Sequence, residues 1–410
     1  MKFSLNFLFL LLYLAVGFIP NFSAIDRIAT HFIYINLINL FSIYYFYNKK
    51  AKIDFIELVF TNKPLVLYIL FWVWALLSIL YSINVNESLI SVSRLFTFIL
   101  ATCMIGLHFS CLKSLKSVFI FILFPIILLE IFIPTYVFLD IISNVEFSFK
   151  YSDSLKTFTP NKNITAAIIA AHLGFFFSLK FYLKKLEWLF LFLFFVGSGI
   201  LFFISSRASI IGLSLSLTLL YILTFIKKRE NLAYLSKVCL SVIFGFLVSN
   251  FYIGSDSNVS IKNRISSVST EDYSTNERIR FYKHGLSHIK NNPLIGVGIG
   301  NWKQKSIEYD ALNIKQYIVP YSLHNDFLQY GTETGIIGMF LYLMIFLSIL
   351  LINIRRIDTN YFLSASLIIS ISVLFIDSNL NFPHQRPIMM ILLALIISLT
   401  ELNRTKEVEK

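Results

Sequence analysis

Charge and cysteine are both scarce in this chain. Only 14% of its 410 residues are Asp, Glu, Lys or Arg, far below the balance of a soluble domain. The three cysteines, Cys103, Cys111 and Cys239, lie in or beside apolar runs and offer neither a metal-ligand spacing nor an external disulfide, which disfavours zinc and redox chemistry. No Ser/Gly-rich or Pro-rich linker divides the chain, and its halves show no repeat, which weighs against a transporter built from repeated bundles. Acidic residues number 23 against 35 basic ones. The resulting charge of +12 is explained by lysines anchoring the chain against anionic lipid and does not imply nucleic-acid binding.

What the chain has in abundance is apolar surface: 57% hydrophobic residues, 43 Phe and a mean hydropathy of +0.73. That composition predicts an all-α integral membrane protein whose lipid-facing helices satisfy their own backbones. Apolar windows fall near 3–20, 28–47, 66–83, 89–110, 117–135, 163–183, 188–205, 208–226, 235–253, 335–353, 361–378 and 388–402. This gives about 12 transmembrane helices, the first read as a retained span rather than a cleaved signal peptide. Basic clusters at Lys49-Lys50, Lys113 with Lys116, Lys184-Lys185, Lys227-Lys228-Arg229, Arg355-Arg356 and Arg404 follow every second span. The positive-inside rule then puts these clusters and both termini in the cytoplasm. Three regions follow: residues 1–253 with spans 1–9 and an external loop at 136–162, a helical lobe at 254–334, and residues 335–410 with spans 10–12 and a cytoplasmic tail.

Polar chemistry is concentrated at the external ends. Residues 276–292 read as a basic amphipathic helix, capped by Thr275 or Asn276, with Ile279, Tyr282, Leu286 and Ile289 on one face and Arg278, Arg280, Lys283, His284, His288 and Lys290 elsewhere. It could adhere to lipid headgroups through its lysines. In Pro293-Leu294-Ile295-Gly296-Val297-Gly298-Ile299-Gly300-Asn301-Trp302 the alternating glycines permit close backbone approach, but no Gly-Lys-Ser/Thr and no βαβ setting follow, so a tight turn is favoured over a nucleotide loop. His324 precedes a membrane span, with Ser322 as a candidate N-cap, so a helix N-terminus would favour the neutral imidazole. A lone histidine there has a structural reading as well as one as general base. Arg207, in Ser205-Ser206-Arg207 between two spans, is a snorkelling cation, a carboxylate partner or an anion-binding group. Arg386, beside His384 in a short external turn, joins the same cluster or marks the membrane boundary. Arg94 lies inside span 4 and needs an internal partner or a polar cavity.

The order of these pieces resembles the bacterial O-antigen ligase and polymerase family of membrane glycosyltransferases. Ser205-Ser206-Arg207, Arg278-Ile279-Arg280-Phe281-Tyr282, Asn292-Pro293-Leu294-Ile295-Gly296-Val297-Gly298, then His324-Asn325 and Gly335-x-x-Gly338 carry the likeness over residues 200–340. Asn161-Lys162-Asn163 and Asn381-Phe382-Pro383 are similar but shorter features, and Ile211 stands where the ligases typically have leucine. The resemblance implies an enzyme of the bacterial inner membrane acting on the periplasmic face. Its donor would be an undecaprenyl-pyrophosphate-linked glycan, and its acceptor a sugar hydroxyl of lipid A core, or, for a polymerase, another lipid-linked repeat. It assigns His324 to the acceptor hydroxyl, and Arg207, Arg278 and, more weakly, Arg280 to the donor pyrophosphate. Asn325, Arg386 and Asn163 are further substrate-binding candidates. Guanidinium suits pyrophosphate because its paired donors stay charged. No metal and no cofactor are expected, since pyrophosphate is already a competent leaving group and the external segments hold no metal-ligand cluster. A lipid-linked glycan flippase is a third reading, but it leaves the lobe and the ordered motifs without a purpose.

Overall fold

The computed structural model describes residues 4–20, 22, 28–48, 55–112, 114–145, 147, 149–253, 273–312 and 322–405. Among them there are helices and no β-strand. The long helices are α1 (Leu5–Leu14), α2 (Ala29–Asn48), α3 (Lys63–Leu77), α4 (Val85–Ser110), α5 (Phe124–Asn144), α6 (Lys162–Leu173), α7 (Glu187–Ile204), α8 (Arg207–Lys227) and α9 (Leu232–Ile253). After them come α10 (Tyr273–Asn291) and α11 (Trp302–Asp310), then α12 (Asp326–Arg356), α13 (Tyr361–Leu380) and α14 (Pro387–Thr405). The protein is an all-α, multi-pass membrane protein: among the described residues 10 helical stretches, α3 to α9 and α12 to α14 with their short extensions, are long and apolar enough to cross a bilayer. The other two expected spans are helices at the predicted places. One, Leu5–Phe18, is short; the other, α2, is diluted by Asn36, Asn39 and Ser42. Both are tied to α4 through buried polar contacts, Asn39 Nδ2 donating to the Thr97 carbonyl at 3.1 Å and His108 bridging Asn6 and Ser42 at 3.0 and 3.1 Å.

The bundle is assembled around α13, which lies against α6, α8, α12 and α14. Small residues allow this closeness, as expected where lipid removes the hydrophobic drive for association. Ser370 donates to the Ala171 carbonyl of α6 at 2.7 Å, and a Cβ on Gly174 would sit 2.8 Å from the Ser366 carbonyl. Antiparallel packing of α8 on α13 is fixed by Thr224 meeting Tyr361 at 3.0 Å and Gly212 facing Val373 and Ile376. Lys184-Lys185, Lys227-Lys228-Arg229, Arg355-Arg356 and Arg404 therefore gather at one end of the bundle, with α10 and α11 at the other.

Helix α12 starts at Asp326, ahead of the apolar window at 335–353, and is broken at Gly335 (φ 74°, ψ 179°). Asn325, not Ser322, is its N-cap, its Oδ1 accepting from the Leu328 N–H at 3.0 Å; Ser322 Oγ accepts instead from the His324 N–H at 3.3 Å. The break deprives three carbonyls of helical partners, and the glycine-rich loop supplies two of the donors: Val297 N–H to Thr332 at 3.1 Å and Gly298 N–H to Glu333 at 2.9 Å. Trp74 Nε1 reaches the Thr334 carbonyl at 2.8 Å, and the Ile336 N–H turns to the Pro293 carbonyl at 2.8 Å. The loop is thus a tight structural connector. Its Gly300 N–H is held by Glu333 Oε2 at 2.8 Å and its Ile299 N–H by Ser78 Oγ at 3.0 Å, so these amides are occupied.

Helix α10 departs from expectation. It begins at Tyr273, which puts Thr275 and Asn276 inside it and not at its cap. Its buried face is Phe281, Gly285, His288 and Ile289, while Ile279 and Leu286 are 40% and 54% exposed. The rotation follows from packing: Gly285 lets α10 approach Leu323 and Thr332, and Ile289 meets Gly331. Ile279 and Leu286 remain outward, like the exposed Leu294 and Ile295 of the following loop.

A side chain at Gly335 would need a strained backbone and would place Cβ 2.3 Å from the Leu294 carbonyl. We therefore expect Gly335→Ala to cost at least about 2 kcal/mol, measured as a lowered thermal midpoint in detergent, whereas Gly106→Ala, whose Cβ would meet only side-chain atoms at 3.5 Å or beyond, should be close to neutral.

Candidate functional site

His324 sits between the α10–α11 lobe and the membrane helices, in a left-handed backbone conformation (φ 53°) two residues before α12 begins. Its carbonyl is 3.1 Å from the Tyr282 hydroxyl of α10, which also lies 3.0 Å from the Asn379 carbonyl at the end of α13. Tyr282 therefore clamps the lobe, His324 and α13 together. The imidazole packs edge-on against Phe382 with centroids 5.0 Å apart, and Arg386 lies over the same ring at 4.6 Å. Burial, then the charges of Arg278 and Arg386, pull the His324 pKa down to about 4. The imidazole is consequently neutral at physiological pH and can accept a proton.

Three buried side-chain atoms in this cluster have no hydrogen-bond partner among the described residues: His324 Nδ1, Arg386 Nη1 and Asp377 Oδ2. Interiors rarely leave such atoms unpaired outside sites with a task. Asp377 feels both Arg386 and Arg278, which places the two arginines, the carboxylate and the imidazole within mutual electrostatic reach. No carboxylate among the described residues forms an ion pair with Arg278.

Arg207 opens α8 after a left-handed Ser205. Since Gly212 faces Val373 and Ile376, Arg207, about 7.5 Å earlier along the axis, comes level with the lobe end of α13. Asn163, in the first turn of α6, reaches the same level through the register that pairs Ala171 with Ser370. The N-termini of α4, α6, α8, α12 and α14 are among those at this end of the bundle, and each favours negative charge.

Residues 190–343 match the O-antigen ligase family model. The matched segment, under half of the chain, runs from α7 through the break in α12 and is similar to that family. It contains Arg207, Arg278 and His324, with Asn163 and Arg386 outside its bounds. No curated protein matches the chain. The match supports a membrane enzyme of ligase type whose context is lipid-linked glycan.

Two sequence candidates sit differently from the other polar residues of the matched segment. Arg280 is engaged by Asp310 of α11, with Nε 2.8 Å from Oδ1 and Nη2 3.2 Å from Oδ2, and so fastens the lobe. Asn325 spends its Oδ1 on the α12 cap. Tyr282 and Asp377 were not singled out as site residues from the sequence. Tyr282 read as part of an apolar face; Asp377, a carboxylate inside an otherwise apolar run, was the signal available. Among the described residues no group of three or more His, Cys, Asp or Glu side chains is arranged to hold a metal ion.

Removing Arg280 takes from the buried Asp310 its bidentate cation. Arg280→Ala should destabilise the protein by about 2 kcal/mol, and the double variant Arg280→Ala/Asp310→Ala should recover part of that loss in thermal unfolding. A loss of transfer in Arg280→Ala that the double variant does not relieve would instead assign Arg280 to the donor.

Proposed function

We propose that the protein is an O-antigen ligase that transfers a glycan from undecaprenyl pyrophosphate to a sugar hydroxyl of lipid A core, at the periplasmic face of the bacterial inner membrane. The observation that carries this reading is the neutral, half-buried His324 held beside Arg278 and Arg386 within a segment of the O-antigen ligase family. The orientation rests on the basic clusters gathered at the end opposite the lobe, which the positive-inside rule assigns to the cytoplasm. The three regions then act as a membrane scaffold (1–253), a periplasmic lobe (254–334) and a closing set of spans (335–410).

In this mechanism the acceptor hydroxyl attacks the anomeric carbon as the bond to the pyrophosphate oxygen breaks. His324 takes the hydroxyl proton, and undecaprenyl pyrophosphate leaves with the bonding pair, so the donor configuration inverts. Arg207 and Arg278, with Arg386 behind them, hold the leaving group's charge in a site supplied by helix N-termini, where preorganised donors are most effective. The reaction proceeds without a metal, because the developing charge is met by guanidinium.

A histidine with pKa about 4 is a weak base, and the cause of the weakness is also its remedy. The Arg278 and Arg386 charges that lower it would be neutralised by a bound pyrophosphate, which raises the imidazole pKa when the donor arrives. Protonation removes the base, so activity falls as pH drops through that pKa. The acid limb of kcat/KM, which reports the free enzyme, should therefore lie near 4, and that of kcat, which reports the complex, at higher pH. A kcat limb at or below the kcat/KM limb would overturn this coupling.

Purified protein in detergent should transfer glycan to lipid A core. His324→Ala should lower kcat by about 10²–10⁴-fold, and Arg207→Ala or Arg278→Ala should lower kcat/KM by about tenfold to a thousandfold, with chelator having no effect. A parallel reaction with lipid-linked repeats alone distinguishes a polymerase: chain growth there without core transfer assigns the acceptor differently. Activity in neither reaction from folded protein would return the chain to the transport reading.

A further inference from the structure

On the far side of the turn that carries Phe382 and Arg386, a cavity of about 280 Å³ lies between α4, α11, the first segment of α12 and the turn itself. Ser91, Arg94, Lys303, Tyr330, His384 and Gln385 are among its lining residues. The turn thus has two sides. Phe382 and Arg386 address His324, while His384 and Gln385 address the cavity.

His384 is oriented with unusual completeness. Its Nδ1 lies 2.5 Å from Asp326 Oδ1 and its backbone N–H donates to Asp326 Oδ2 at 3.2 Å. Asp326 is fully buried and opens α12, only two residues beyond His324. With Nδ1–H given to a carboxylate, a neutral imidazole presents Nε2 as an acceptor. Tyr330, 1% exposed, packs against His384 with ring centroids 5.0 Å apart, and its hydroxyl has no hydrogen-bond partner among the described residues. The Gln385 side chain likewise makes no hydrogen bond with them.

The lining does not select an anion. Lys303 is paired with Glu87 at 2.6 Å, and the two cations of the lining, Lys303 and Arg94, are matched in number by its two carboxylates, Glu87 and Glu333. What remains is an imidazole acceptor, a phenol, an amide able to do both, and aromatic wall from Phe98 and Tyr330. That is the chemistry of a polyhydroxylated, uncharged ring. The volume is near the low end of small-molecule pockets, about 300–1,000 Å³, room for a single sugar unit.

We propose that this cavity is a subsite for an acceptor sugar ring next to the one that carries the attacking hydroxyl, with His384 Nε2 accepting a hydrogen bond from one of its hydroxyls. The inference rests on the glycosyl-transfer reading: the reacting hydroxyl stays with the donor on the His324 side of the turn, and the neighbouring acceptor ring reaches past the turn into the cavity, with His324 and Asp326 on adjoining backbone.

Gln385 is the residue to alter, because its side chain has no structural partner to lose, whereas a His384 variant would unpair the buried Asp326. With whichever acceptor supports transfer, Gln385→Ala should raise the acceptor KM roughly five- to tenfold, and the cavity-filling Gln385→Trp should raise it further, both leaving the donor KM unchanged. An unchanged acceptor KM in both variants overturns the subsite while leaving the transfer reading intact. A second measurement is independent of turnover: saturation-transfer NMR of glucose, galactose and N-acetylglucosamine with the detergent-solubilised full chain. Binding of at least one sugar to wild type and its loss in Gln385→Trp supports the subsite even if no transfer is found, in which case only the reaction assignment fails. No binding of any of the three, or binding that survives Gln385→Trp, overturns it.

Discussion

A buried backbone group without a partner is costly, more so in a membrane interior where water is absent, and the break at Gly335 of α12 creates several at once. Their satisfaction fixes much of what surrounds them. Two loop amides, one indole and one loop carbonyl are spent on this one discontinuity. The loop that provides them is then committed in position, and so is α11, which follows directly from it. Glu333, one residue from two of the orphaned carbonyls, gathers the Gly300 N–H and the Gln329 amide. Gln329 in turn holds the Leu323 N–H at 2.9 Å, so the residue before His324 is anchored to the same segment. The unusual backbone of His324 is the outer end of this chain of hydrogen bonds.

Electrostatics gives that geometry its use. Arg278 and Arg386 stand near a single unpaired buried carboxylate, Asp377, and their field falls on His324. An ion pair with each arginine would have been easier to bury but would leave nothing for an anionic ligand. Arg280, two residues on and on the opposite face of the same helix, shows the alternative: it is in bidentate contact with Asp310. The difference between the two arginines is the difference between a fastening and an open charge.

The helices and the polar end of the bundle were legible because hydrophobic run length and lysine placement are local signals, but α5 runs on to Asn144 and α12 starts at Asp326, each nine residues beyond its apolar window, where polar residues continue the helix. Arg207, Arg278 and His324 were legible as an ordered motif. The face of α10 was not, because Ile279 and Leu286 repeat with helical period yet lie outward, the rotation being set by Gly285 against Leu323, a contact between segments remote in sequence. The cap of α12 was missed by a few residues since Ser322 and Asn325 are both good cap formers, and the choice depends on where Tyr282 and Gln329 hold the chain. Asp326 and His384 were each in view, but their pairing joins the first turn of α12 to the turn before α14, and no spacing announces it.

Polar residues inside a membrane protein are commonly taken as functional by default, and this chain contains many. His108 has one ring nitrogen on Asn6 and the other on Ser42; Asn353 and Asn403 bond to each other at 2.7 Å and to Thr400 and Ser364; Glu130 is paired with His172. These groups have protein partners, and such networks bind helices to one another as hydrophobic contact cannot in lipid. At the lobe end the same residue types behave otherwise: an imidazole nitrogen, a guanidinium nitrogen, a carboxylate oxygen and the Tyr330 hydroxyl are buried without partners among the described residues. Residue type and depth are shared by both sets, so neither separates function from scaffold. Unpartnered buried hydroxyls also occur away from the lobe, at Tyr68 and Tyr234; what sets the lobe-end atoms apart is that they gather around one short turn, His324 on Phe382, Arg386 within the turn, Asp377 on Asn381 and Tyr330 on His384.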